Sequence, residues 1–289
     1  MGLHIFFATD GSFAARLAQA QILTLPWRPP VHVTVMTAME VPNAPFTSLI
    51  PAARRAYDGA LYTLRQNAEA EATELLAGTR SALEARVASI GTRMHPGQAG
   101  PTIVDSAFAC RADLVVVGSR GLGPYKGFLL GSVSNHVAQH TRCSVLVVKS
   151  PPKGRRRFLV ALDGSAEDGR VVGWLKALDL SAGARIHLVK VDRHREQSPA
   201  SDDFTAWGNS SKALEAVGCP GLQADVVQVT AEVRYGHEVP EILDSIHEFR
   251  PELLILGATA WRSTDESPLS KVTRNLIDQA YCSILIVRP

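Results

Sequence analysis

The sequence of 289 residues lacks most of the features that would classify it at a glance. No apolar run approaches the roughly 20 residues that a membrane-spanning helix needs, which argues against a helical membrane protein. The N-terminus enters an apolar segment almost at once (His4-Ile5-Phe6-Phe7-Ala8), with no basic stretch or cleavage site, and Phe6 stands where a myristoylation signal prefers Ser or Thr. Cysteine is scarce: Cys110, Cys143, Cys219 and Cys282 form no C-x-x-C pair, so neither a zinc site nor a redox couple is indicated. A cytoplasmic protein with reduced thiols is the expectation. A dominant charge is missing too, and a net +2 makes no case for nucleic-acid binding. Residues 1–150 carry 13 Lys+Arg against 9 Asp+Glu, and residues 151–289 carry 17 against 19, so a mild positive bias sits on the first half.

What is present is a well-stocked core, 46% hydrophobic against 20% charged, in a chain long enough for two ordinary domains. The chain also repeats itself. His4–Ser12 (HIFFATDGS) is matched by Phe158–Ser165 (FLVALDGS), Val31–Met36 (VHVTVM) by Ile186–Val191 (IHLVKV), Ala112–Gly118 by Pro251–Gly257, and Cys143–Val148 by Cys282–Val287. Asp10 and Asp163 are 153 positions apart, whereas Gly118/Gly257 and Cys143/Cys282 are both 139 apart. The second copy is thus 14 residues shorter, and the difference falls between its first strand and its fourth. The matched Cys143 and Cys282 read as packed thiols of a core.

Between the strands lie helical patterns, Tyr57–Ala88 and Pro101–Cys110. Short apolar strands alternating with helices predict an α/β fold: two tandem open parallel five-stranded sheets with helices on both faces. Domain boundaries are expected at 1–150 and 158–289, with the Pro- and Gly-containing segment 151–157 as linker. Glu40–Pro51, with three prolines, reads as a loop beside a site.

The candidate site is the glycine constellation Gly118-Ser-Arg-Gly121, nine residues, then Gly131-Ser132-Val133. It follows a strand and precedes a helix that starts near Ser132. Glycines there would let backbone take positive φ and approach a phosphate closely, and the helix N-terminus would add unpaired donors and a positive dipole end. Ser132 would offer its hydroxyl to a phosphate or cap the helix. The spacing is neither a Walker loop nor the dinucleotide fingerprint, despite Gly121-Leu-Gly123. Turn glycines and a capping serine remain the alternative reading.

The G-x2-G-x9-G-[ST] spacing, the Asp-Gly-Ser after the first strand and the closing VLVVK strand resemble the universal stress protein family in its tandem form, ATP-binding branch, over essentially the whole chain. The resemblance implies an adenine nucleotide alpha hydrolase-like fold and ATP as ligand, with Mg²⁺ as an optional companion. It places Ala8, Thr9 and Asp10 on the ribose or adenine side, and Met36 along the adenine. Val117, Gly118 and Gly121 would lie along the ribose and phosphates, with Gly131, Ser132 and Val133 at the β- and γ-phosphates. Arg120 and Lys126 are candidate charge partners within the loop, with solvated surface as the other reading. In the second copy Ala260 replaces the second glycine, Ser270-Lys271 stands for Gly-Ser, and Trp261 adds bulk, so that site is expected to hold no ATP.

Family members commonly dimerise through the last strand, so Ser144–Lys149 and Ser283–Arg288 are expected to pair within the chain as a pseudo-dimer, with a further homodimer left open. His136 and His140 read as helix-surface or packing residues. No acidic residue lies between Gly118 and Cys143 to serve as a Mg²⁺ ligand. Three functions stay in play: a nucleotide-occupied regulatory module in stress response acting on a protein partner, a slow ATPase, and a scaffold without ligand. The first ranks highest.

Overall fold

The computed structural model describes residues 2–40, 51–120, 130–165, 167–180, 183–193, 227–261 and 268–288. Apolar segments rich in Val, Ile, Leu and Phe become the central strands in both halves. In the first half the strands are β1 (Leu3–Ala8), β2 (Val31–Met39), β3 (Ser89–Pro96), β4 (Leu114–Gly118) and β5 (Ser144–Val148). In the second they are β6 (Arg157–Leu162), β7 (Arg185–Asp192), β8 (Gln228–Tyr235), β9 (Leu253–Gly257) and β10 (Ser283–Val287). Each half is a parallel five-stranded sheet of the same order, and the two join edge to edge into one ten-stranded sheet, β3-β2-β1-β4-β5-β10-β9-β6-β7-β8.

The seam is antiparallel. Ile284 pairs with Val147, Leu285 with Leu146 and Ile286 with Val145, so the expected pairing of the two closing strands is formed within the chain. It removes two edges that would otherwise present unpaired N–H and C=O groups. Because the seam reverses direction, the carboxyl ends of the first half and of the second emerge on opposite edges of the sheet.

Helices cover both faces. α1 (Phe13–Thr24), α2 (Pro51–Leu83) and α5 (Asp168–Gly173) pack on one face, in a core that includes Phe7, Ile22, Leu76, Phe158 and Val171. On the other face lie α3 (Ala99–Ala109), α4 (Ser132–His140), α6 (Glu238–Phe249) and α7 (Lys271–Gln279), around Phe6, Ile103, Val137, Ile246 and Leu276. Both cores run without a break across the seam. The central strands read as continuous apolar runs because both their faces are buried. Burial of side chains such as Phe6, Phe7 and Phe158, each fully enclosed, contributes about 1.5–3 kcal/mol apiece.

The strand register corrects one alignment. Ala8 pairs with Met36 and Ala161 with Val189, so Met36 corresponds to Val189, two residues before the Val191 that hydrophobic pattern alone suggests. A slip of two keeps every side chain on its own face, which is why the pattern cannot detect it. The 153-residue offset holds through β2 and β7, and the 139-residue offset is in force at β3 and β8, where His32 pairs with Ser89 and Arg185 with Gln228. The 14-residue difference therefore falls between the second and third strands of each copy. Residues 41–50 of the expected loop, and Cys219, lie outside the described residues.

Candidate functional site

In the first half the chain leaves β1 toward β2 and β3 on one side, then returns to β4 and β5 on the other. Between β1 and β4 the direction of winding switches, and open parallel sheets form their binding crevice at the carboxyl ends of strands at such a point. A cleft lies there. Its walls include Ala8, Thr9, Asp10, Met36, Val117, Gly118, Arg120 and Val133, all picked out by sequence, together with Ser12, Ala15, Ala38, Ala99, Ile103 and Ser134. The enclosed part measures about 100 Å³. Drug-sized pockets begin near roughly 300 Å³, so an elongated ligand would have one end enclosed and the rest across the mouth.

The walls divide by chemistry. Met36, fully buried in the second half of β2, lies with Ile103 of α3 in one apolar layer that also holds Ala8 and Val117. The polar rim is made by the turn after β1. Gly11 takes φ +71°, the Ser12 amide donates to Asp10 Oδ1 at 2.9 Å, and the Ala15 amide donates to Ser12 Oγ at 3.2 Å. Ser12 thus caps α1 while Asp10 stays exposed at the mouth. The Thr9 amide donates to the Met36 carbonyl at 2.9 Å and ties rim to wall.

The glycines work differently from the expectation. Neither Gly118 nor Gly131 is among the glycines with positive φ. Gly118 is a packing glycine, since a Cβ there would lie 2.5 Å from the Ala14 carbonyl carbon and 2.6 Å from its oxygen. It lets α1 sit directly on β4. Gly131 is the N-cap of α4, extended at φ −66° and ψ 155°, and its amide donates to the Ser119 carbonyl at 2.7 Å. Ser132 is therefore not the cap; it is the exposed first residue of the helix. The hydroxyl that fastens this turn belongs to Ser134, which donates toward Ser119 O (2.8 Å) and Gly131 O (3.0 Å). Sequence reasoning missed Ser134, although Thr273 at the matching place in the repeat was a signal. Gly121 and Lys126 lie outside the described residues.

With glycine as N-cap, α4 has no side-chain cap, so its first turn points uncapped N–H groups and the positive dipole end toward the cleft where Val133 and Ser134 line it. Such a terminus is suited to an anion.

The second half builds the same frame and closes it. Ser270 takes the N-cap place of Gly131 with the same backbone (φ −63°, ψ 157°), but its Oγ accepts the Thr273 amide at 3.0 Å. The helix end that is uncapped in the first half is satisfied internally in the second. Asp163, the match of Asp10, accepts the Ser165 amide at 2.9 Å and the Trp261 amide at 2.8 Å. Burial works against ionisation of Asp163, yet hydrogen bonds from Ser165 and from the Trp261 amide hold its carboxyl below the usual range. Ala260 is buried against Gly257, and Trp261 itself takes φ +55°.

The charges also invert. At the offset of 153, Ala14 and Ala15 become Glu167 and Asp168, and at 139 Arg120 becomes Thr259, whose hydroxyl bonds to the Glu167 carboxylate. Burial and the neighbouring Asp163 charge push Asp168 up to about 6. Three carboxylates thus stand where the first half has one carboxylate and one guanidinium. Lys190 reaches the same turn, where a Cβ on Gly164 would lie 3.3 Å from its Nζ, so the excess of carboxylates is offset in part.

Other candidate residues are packing residues. His136 and His140 stack at 4.1 Å between ring centroids, and burial, then the His140 charge, lowers the pKa of His136. Burial pushes the Cys143 thiol up to about 11 and that of Cys282 to about 12, which leaves both poorly reactive. Among the described residues no group of three or more His, Cys, Asp or Glu is arranged to hold a metal ion, and no helix is long and apolar enough to cross a membrane.

Comparison with known proteins agrees with this architecture. The family model described as the universal stress protein family matches residues 1–149 and again 154–288. A universal stress protein of Methanocaldococcus jannaschii is 30% identical over 149 residues, covering 52% of this chain and 83% of that protein. The crystal structure of a universal stress protein from Archaeoglobus fulgidus superposes with a TM-score of 0.69 at 17% identity, covering 99% of this chain and 96% of its own. A Pseudomonas aeruginosa protein of unknown function superposes at 0.57 with 13% identity, over 99% of this chain and 92% of that one. At such identities the two structures speak for the tandem fold alone.

Proposed function

This chain belongs to the universal stress protein family, and we propose that it is a nucleotide-dependent regulatory module of a stress response. In this reading residues 1–150 hold one ATP, and residues 158–289 form a degenerate twin that holds none. The observation that carries it is the contrast between the two α-helix N-termini. Gly131 leaves the first turn of α4 without a side-chain cap, beside an apolar cleft at the switch point. Ser270 caps its own helix in the second half, where Glu167 and Asp168 replace Ala14 and Ala15.

Adenine would lie against Met36, Ala38 and Ile103, where apolar walls give area without polar penalty. Asp10 and the Thr9 hydroxyl at the rim would meet the ribose. The phosphates would run along Gly118 toward Gly131 and the amides of α4, with Arg120 on the same wall. Mg²⁺, where it accompanies the triphosphate, would bind phosphate oxygens and water, with Asp10 as the carboxylate of the described lining.

Calorimetric titration of the purified chain with ATP and with a phosphate-free adenosine control tests the reading. Saturation near one ATP per chain, with adenosine at least tenfold weaker, is expected. Equal affinity for the two would remove the role given to α4. Turnover of bound ATP, followed in the same samples, decides between a holder and a slow ATPase; the reading expects release of intact ATP.

A further inference from the structure

A second cavity, of about 470 Å³, opens at the seam on the edge opposite the first cleft. It lies beneath the C-terminal ends of α3 and α4, and Arg288 and Trp174 of the second half close it. We propose that it is a binding site for a small aromatic anion, an aryl phosphate or aryl carboxylate. Its size is within the roughly 300–1,000 Å³ typical of small-molecule sites.

Three features of the lining point to that chemistry. First, Thr141 is only 3% exposed, yet its hydroxyl has no hydrogen-bond partner, and neither has the buried Nε of Arg288. A native structure rarely leaves such groups unpaired, and a ligand oxygen would satisfy them. Second, the cations outnumber the carboxylates. Arg111, Arg142 and Arg288 line the cavity with one acid, Asp113, whose Oδ2 already accepts the His4 amide at 2.8 Å. Among the described residues neither Arg111 nor Arg142 is in an ion pair. Guanidinium groups favour planar carboxylates and phosphates, which they bind in a bidentate fashion. Third, a flat apolar surface is ready beside them. Phe108 is 60% exposed, with the Arg142 guanidinium 4.6 Å from its ring centroid. The indole of Trp174 is anchored by its Nε1 donating to Ser144 Oγ at 3.1 Å.

The internal repeat supplies a control. At the matching place in the second half Ala280 replaces Thr141 and Tyr281 replaces Arg142. The Tyr281 hydroxyl donates to the Ile246 carbonyl, and Glu252, matching Asp113, accepts the amides of Lys153, Gly154 and Arg156. The linker and a tyrosine thus occupy the groove there; Arg157 stacks on Phe249 as Arg142 does on Phe108, but the buried unpaired hydroxyl of Thr141 has only Ala280 as its counterpart. The scaffold is common to both halves; the polar lining is not.

The test titrates the whole chain with phenyl phosphate, benzoate and neutral benzyl alcohol, by calorimetry. At least one of the two anions is expected to bind near one per chain, and which one binds identifies the headgroup; the alcohol should not bind. Arg142→Ala is expected to weaken the anion by about 10- to 100-fold, as for loss of a charged hydrogen-bond pair. Thr141→Val separates binding from folding. It removes an unpaired buried hydroxyl without changing shape, so the melting temperature should rise while affinity falls about 2- to 10-fold. Absence of binding by either anion up to about 10 mM, a Kd of the order set by only about 2.7 kcal/mol, would overturn the proposal. So would equal binding of the alcohol, or anion affinity that neither substitution changes, which would place the anion in the first cleft instead.

Discussion

Replacing Gly131 by serine should weaken nucleotide binding by roughly 10- to 150-fold while leaving the fold almost untouched. The backbone at Gly131 is extended (φ −66°, ψ 155°), a conformation open to any residue, and Ser270 already adopts it at the matching helix end. A serine there is expected to do what Ser270 does, accepting the amide three residues on, here that of Ser134. Ser and Gly differ by only a few tenths of a kcal/mol as caps. Against that gain, the new Cβ would sit 3.2 Å from Arg120 Cα and 3.3 Å from Ser119 O, contacts relieved by a shift of a few tenths of an ångström. The two effects nearly cancel, so unfolding free energy without ligand should change by less than about 0.5 kcal/mol. Binding is another matter. An amide committed to the serine is lost to the phosphate, and a hydrogen bond to a charged group is worth about 1.5–3 kcal/mol, or roughly a 10- to 150-fold rise in Kd. Calorimetric unfolding with and without ATP reads both quantities. The ligand-induced stabilisation of the parent, about 2.7 kcal/mol at a hundredfold excess over Kd, should shrink or vanish. Affinity unchanged within twofold would refute the role of the uncapped helix end, and a loss of several kcal/mol without ligand would show that Gly131 is a packing glycine instead.

Three further outcomes follow from the same geometry. Gly118→Ala should cost several kcal/mol with or without ligand, because the methyl meets the Ala14 backbone at 2.5 Å and backbone cannot yield as a side chain can; denaturant unfolding checks this, and a loss below 1 kcal/mol (about the cost of an ordinary substitution) would contradict it. Glu232 accepts bonds from His187, Arg234 and Ser245; burial works against ionisation, yet these partners hold its carboxyl down to about 2. Its stabilisation is thus present above the ordinary value of 4.5 and is lost as pH falls through about 2, so Glu232→Gln should cost about 1–2 kcal/mol at pH 7, after allowance for solvent screening, and progressively less below pH 4.5. A pH-independent gap in urea unfolding would sink that account. Lys149 reaches across the seam to the Ile277 and Ala280 carbonyls at the end of α7, each at 2.5 Å, and burial lowers its pKa to about 8. Between about pH 8 and 10.5 the unfolded chain binds the proton that the folded one gives up, so stability should rise with pH there by up to about 3 kcal/mol. The rise should be absent in Lys149→Met, and an equal rise in both proteins would assign it to other groups.

Much of the fold was legible in the sequence because its central strands are buried on both faces and stand out as apolar runs. The edge strands were not. β3 (SIGTRMHP) and β8 (QVTAEVRY) carry no such run, since each has one unpaired side and a largely exposed face. Their presence was implied only by the space left between matched segments. At the site, the residues with unusual chemistry (Asp10, Gly118, Gly131) could be picked out, whereas Ala38, Ala99 and Ile103 look like any core residue until the sheet brings them to one cleft. Gly118 and Gly131 perform another physical task than the positive φ expected of them. Spacing shows where a side chain is missing; only packing shows whether the space serves a neighbouring helix, as at Gly118, or leaves a helix end uncapped, as at Gly131. The change from Ala14-Ala15 to Glu167-Asp168 is visible in the aligned repeat, yet its meaning emerges only when Glu167 reaches Thr259 and Asp168 reaches the amides of Asp163 and Gly164.

The central claim is that two copies of one fold hold one nucleotide between them, in the first. Denaturing the purified chain and quantifying the released small molecules by mass spectrometry after saturation with ATP and removal of the excess tests it most directly. One ATP per chain, lost in Gly131→Ser and retained in Ser270→Gly, is the predicted result. Two per chain, or one that survives Gly131→Ser, would contradict it.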